Sequence, residues 1–126
     1  MRAIDTNVLV RLMTRDDPRQ VALADRFVQK GAWVSLLALV EATWVLASVY
    51  ECGADEIATA VEMLLNHRDL ALQDTDVVEA TLGSFRTRLV LGFSDCLMVE
   101  IARKAGHLPL GTFDRDLSKL DGAEKL

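Results

Sequence analysis

The sequence predicts an α/β fold with a mainly parallel sheet. Short apolar runs bounded by turn residues alternate with longer segments whose apolar residues recur at helical spacing. Alternation of strand and helix is the pattern of parallel pairing. A length of 126 residues suits one domain with its own core, residues 1–126. No repeat, low-complexity tract or linker interrupts it.

Each element has a local reason. Residues 2–5 read as a short buried strand ending at Asp5. Thr6 or Asn7 is expected to cap a helix over 8–15, with VLVRLM as its apolar face. Asp17, Pro18 and Gln20 occupy N-cap, N1 and N3 of a second helix, which runs to Lys30 and stops at Gly31. Ala32–Ser35 is the second strand. Residues 37–50 form a largely buried helix ended by Gly53.

An amphipathic helix follows over Asp55–His67, with Ile57, Ala60, Val61, Leu64 and Leu65 on one face. Leu70–Gln73 is a third strand, and Asp74 or Thr75 caps a helix to Arg88. Leu89–Phe93 is a turn or loop. Ser94 caps a helix from Asp95 to Lys104, which Gly106 ends. Leu108–Thr112 is a fourth strand, 115–120 a short helical turn, and the tail a candidate final strand. Trp33 and Trp44 are expected in the core, and Cys96 as small core filler.

Composition excludes several classes. Hydrophobic residues make up 51 % and charged residues 26 %, a globular balance. Net charge is −5 and pI about 4.9, so general nucleic-acid binding through a basic surface is excluded. Contact with nucleic acid must use local basic residues or bound cations. Cys52 and Cys96 form no paired motif, and His67 and His107 lie in no metal-binding spacing. No leader is visible and the run at 36–50 is too short to span a bilayer, so no membrane partner and a cytoplasmic location are expected.

One residue raises a question. Glu41 interrupts LLALVEATWVLASV, residues 36–49, with no basic residue within a helical turn. A buried ionised carboxylate needs a partner or a cation. Parallel sheets gather ligands beyond the carboxyl ends of their strands. Asp5 falls at such an end, Asp114 just past another, Glu41 near the start of the helix after strand two, and Asp95 in the first turn of a helix. Four acids brought to one edge repel by about 4 kcal/mol per close pair at ~4 Å and an effective dielectric of ~20. A hard divalent ion, Mg²⁺ or Mn²⁺, is the natural compensation. It also suits phosphodiester hydrolysis, because it activates water and offsets charge on the leaving oxygen.

Four motifs carry a resemblance: AIDTNVLVRL, LLALVEATWVL, GFSDCLMVEIARKAG and GTFDRDLSKL. Together they resemble the PIN-domain ribonucleases, and specifically the VapC-type toxins of bacterial toxin–antitoxin pairs, over essentially the whole chain. The resemblance implies a three-layer α/β/α arrangement with a sheet of four to five strands. It implies that Asp5, Glu41, Asp95 and Asp114 bind Mg²⁺ or Mn²⁺ and cleave RNA by a metal-activated water. Asp5, Asp95 and Asp114 are then metal ligands, and Glu41 binds the metal through water or orients the nucleophile. Thr6, Asn7 and Thr112 support them, with Asn7 orienting Asp5. Asp116 matches a further carboxylate near the metal, and Arg115 is the candidate for an RNA phosphate.

The resemblance also implies a homodimer and a cognate antitoxin whose C-terminal arm covers the active site. The chain departs from the pattern at Gly92, where many members carry another acid. Rival readings are a DNA-directed or non-catalytic PIN-like domain whose acids meet a basic partner, and an aspartyl phosphotransfer domain using Asp5. The last wants an acid two positions on, where this chain has Asn7.

Overall fold

Polar side chains start the first helices and so set where each strand must end. A computed structural model describes residues 1–88 and 90–126, and the chain divides into two units, Met1–Thr75 and Asp76–Leu126. The expected loop at Leu89–Phe93 therefore falls partly outside the described residues, at Leu89.

The first unit holds β1 (Arg2–Ala3), α1 (Thr6–Thr14), α2 (Pro18–Val28), β2 (Ala32–Val34), α3 (Leu36–Ser48), α4 (Ala54–Leu65) and β3 (Leu70–Leu72). Its sheet is parallel throughout, in the order β1-β2-β3, with Arg2 opposite Ala32 and Ala32 opposite Leu70. The core is aliphatic, with Leu9, Val28, Val34, Leu39 and Val61 fully buried. Asp17 caps α2 by accepting from the Gln20 N–H at 3.1 Å, with Pro18 at the first helical position, as the sequence predicts.

A polar clamp ties α1 to the segments after α1 and α3. Arg11 pairs with Asp16 at 3.2 Å and donates to the Tyr50 hydroxyl at 3.0 Å and to Gln20. Tyr50 and Thr14 both donate to Asp16, at 2.7 and 2.8 Å. These bonds hold the Asp16 carboxyl below its ordinary range, the Tyr50 hydroxyl contributing most.

The second unit holds α5 (Thr75–Thr87), α6 (Phe93–Ala105), β4 (Leu110–Thr112), a 3-10 turn (Leu117–Lys119) and β5 (Ala123–Lys125). The tail does form a strand, and β4 and β5 pair in parallel with Leu110 opposite Ala123. Phe85 and Phe93 meet edge to face, with centroids 5.6 Å apart. Gly106 ends α6 in the left-handed region at φ 82°, where glycine carries no Cβ penalty. Arg103 binds Glu100 at 3.0 Å and the Asp121 carbonyl at 2.8 Å, fixing the chain before β5.

Several expectations need correction. Asp5, rather than Thr6 or Asn7, caps α1. Gly53 starts α4 instead of stopping α3, and the chain turns between them through Glu51 at φ 56°. The last helix begins at Phe93 behind Gly92, two residues before the expected start. Helix α3 is not buried all round. Leu37 is 68 % and Trp44 66 % exposed, and Glu41 lies between them on the same stripe. Glu41 is thus an exposed acid, and Trp44 lies outside the core. Trp33, 37 % exposed on β2, is also not fully buried. Cys96 is fully buried, and burial beside Asp95 pushes its thiol up to about 11. No helix among the described residues is long and apolar enough to cross a membrane.

Candidate active site

The first unit brings two of the four acids to neighbouring positions. Ile4 donates to the Trp33 carbonyl at 3.1 Å, so β1 stays in register until the residue before Asp5. There the chain turns into α1, and Asp5 Oδ1 accepts the Val8 N–H at 3.0 Å. The next residue, Thr6, donates its hydroxyl to Glu41 Oε2 at 2.8 Å. One bond therefore joins the carboxyl end of β1 to the second turn of α3. The role expected of Asn7 is not seen as a contact: among the described residues no hydrogen bond joins it to Asp5, which Val8 holds instead.

The second unit positions the other two. Asp95 is the third residue of α6 and half-buried, and its Oδ2 reaches the Gly92 N–H at 3.4 Å. Its charge lies at the positive end of the helix dipole. Asp114 follows β4. Thr112 Oγ1 accepts the Asp114 N–H at 3.0 Å, and Asp114 Oδ1 accepts from the N–H groups of Asp116 and Leu117 at 2.8 and 3.1 Å. The Thr112 hydroxyl thus shapes the loop, and Asp114 starts the 3-10 turn. Asp116 and Arg115 are both exposed on that turn.

A common design emerges from these bonds. Asp5, Glu41, Asp95 and Asp114 each commit one carboxylate oxygen to a neutral donor, three of them to backbone N–H groups. Among the described residues no ion pair involves any of the four. Oxygen donors of this kind fit Mg²⁺ or Mn²⁺. Among the described residues no three His, Cys, Asp or Glu side chains form a ready-made metal cage. The fit is one of donor chemistry: all oxygen, anionic and prearranged by local bonds.

Sequence reasoning missed the link from Thr6 to Glu41, although it placed both residues in motifs. Its signal is a hydroxyl directly after an acid at a strand end. It also missed the face of α2 that opens beside Asp5, where Gln20 and Phe27 line a cleft. The only hint was Gln20 at the third position of a capped helix.

No curated protein and no solved structure matches the chain. The family model of the PIN domain matches residues 3–123, which takes in all four acids. PIN domains are a nuclease-type fold, typically hydrolysing phosphodiester bonds and generally using divalent metals. With its parallel strands, six helices among the described residues and strand-end acids, the chain belongs to the PIN domain family.

Proposed function

We propose that this chain is a metal-dependent endoribonuclease and the toxin half of a VapBC-like toxin–antitoxin pair. Its substrate is RNA and its cation Mg²⁺ or Mn²⁺. Its partners are a second copy of itself and a cognate antitoxin whose C-terminal arm covers the active site. The observation that carries the reading is the hydrogen bond from Thr6 to Glu41. It keeps an unpaired acid of α3 beside the strand end where Asp5 stands.

The divalent cation, when bound, supplies charge neutralisation and an activated water. Asp5, Asp95 and Asp114 offer it the oxygens not used for backbone bonds. Glu41, restrained by Thr6 at one oxygen, orients the attacking water with the other. Thr112 holds the loop so that Asp114 does not swing away. Asp116 adds negative charge beside Asp114, and Arg115 contacts an RNA phosphate.

The test is cleavage of labelled RNA and DNA by the purified chain with Mg²⁺, Mn²⁺ or a chelator. Asp5→Asn and Asp95→Asn are expected to lower RNA cleavage at least about a hundredfold. Asparagine caps a helix as well as aspartate does, so Asp5→Asn leaves the fold in place. Undiminished, chelator-resistant cleavage in either variant removes the proposal. Cleavage of DNA in preference to RNA moves the substrate and with it the toxin assignment.

A further inference from the structure

Helices α1 and α2 enclose a cleft of about 360 Å³ within the first unit, and Asp5 forms part of its wall. That is the size of a small-ligand site. Val8, Leu23 and Phe27 give the cleft apolar sides. Leu23 is 56 % exposed, a large apolar side chain standing over open space. Asn7, Arg11 and Gln20 contribute hydrogen-bonding groups to the same lining.

The charge pattern narrows the occupant. Arg11 is already engaged, with Nη1 bonded to Asp16 and Tyr50 and Nε to Gln20 Oε1. Its charge is matched by Asp16, and Asp5 adds a negative one. The lining therefore offers no surplus positive charge for a phosphate. It suits an uncharged group with apolar faces and a polar edge. An aliphatic side chain of a protein partner would fill the apolar part but leave the polar groups of Asn7 and Gln20 unmatched, at a cost in desolvation.

We propose that the α1–α2 cleft receives one unstacked nucleobase of the RNA, adjacent to the bond being cut, and that Gln20 and Asn7 read its edge. Unpaired bases of single-stranded RNA pack on aromatic and apolar side chains and are read by amide groups along their edges. Arg11 holds the Gln20 oxygen, so the Gln20 amide presents its N–H groups as donors and selects a base with an acceptor at that edge. This inference rests on the nuclease reading of Asp5, which the cleft shares.

Two measurements on the full chain test it. In the first, methyl NMR follows Val8 and Leu23 during titration with single-stranded dinucleotides of each base, without divalent metal. The methyl signals are expected to shift, one dinucleotide doing so at the lowest concentration, and Leu23→Trp is expected to abolish the effect by filling the cleft. In the second, cleavage of a random RNA pool is sequenced. The wild type is expected to prefer one base next to the cut, and Gln20→Leu to reduce that preference about tenfold. Gln20 and Leu23 are both exposed, and melting curves of the variants check that they fold.

Absence of methyl shifts with every dinucleotide overturns the inference. So does an unchanged base preference in Gln20→Leu, or shifts with an apolar tripeptide where dinucleotides give none. Shifts without any RNA cleavage leave the base site standing and remove the nuclease reading. Cleavage without shifts or preference does the reverse.

Discussion

Thr6→Val removes the hydroxyl that donates to Glu41 and keeps the shape of the side chain. Because Glu41 is exposed, folding should lose no more than about 1 kcal/mol. RNA cleavage should fall clearly further than stability does, and Thr6→Ser should restore it. Parallel melting and cleavage curves for the two variants check this, and equal cleavage by Val and Ser would mean that the bond has no part in the reaction. Gly92 is a second residue with a definite expectation. A Cβ built there meets nothing closer than Asp95 Oδ2 at 3.7 Å, and its backbone is extended. Gly92→Asp therefore fits, improves the cap of α6 and adds a carboxylate beside Asp95. Tighter Mn²⁺ binding is expected in a titration, and unchanged binding would separate this position from the cation. At Cys96, full burial and a thiol raised to about 11 make the sulfur inert, so a thiol reagent should label it only after unfolding.

At the scale of elements, caps decide most of what the sequence reveals. Asp17-Pro18 announces α2 because both residues have one strong preference at a helix start. Asp17→Ala should cost about 1 kcal/mol, read as a lower denaturation midpoint. Asp5 was harder to read: a residue expected as a strand-end ligand serves as a cap through Oδ1, which leaves Oδ2 for the proposed cation. One glycine misled in the opposite direction. Gly53 starts α4, where its backbone alone is used, whereas a glycine after an apolar run suggests an end. The clamp on Asp16 belongs to this scale too, since it joins α1 to the segments that follow α1 and α3. Its folded pKa lies below the unfolded value near ~3.9. The clamp's contribution is therefore full above that value and lost as pH falls through the lower, folded one. Urea unfolding between about pH 5 and pH 2 should show declining stability, and Asp16→Asn should flatten that slope.

For the whole molecule, a net charge of −5 means that each unpaired acid adds repulsion. Without divalent metal, Asp95→Asn should raise the melting temperature, and a clear fall would mark the group as structural. The order of strands and helices was legible because hydrophobic period and caps are local. The exposure of Glu41, Trp33 and Trp44 was not, because a helix rich in apolar residues gives no sign of which stripe stays uncovered. The four acids could be named, but not the donors that hold them, since Val8, Gly92, Asp116 and Leu117 act through backbone N–H groups that any residue but proline provides. Position 5 illustrates what this implies for drift over generations. Asparagine, serine and aspartate all begin a helix well, so folding alone permits their exchange. Under the proposed function, ligation of the cation forbids it. If that function holds, a lineage that has lost the nuclease activity should accumulate asparagine and serine at position 5 while keeping a sound fold, and one that retains it should not.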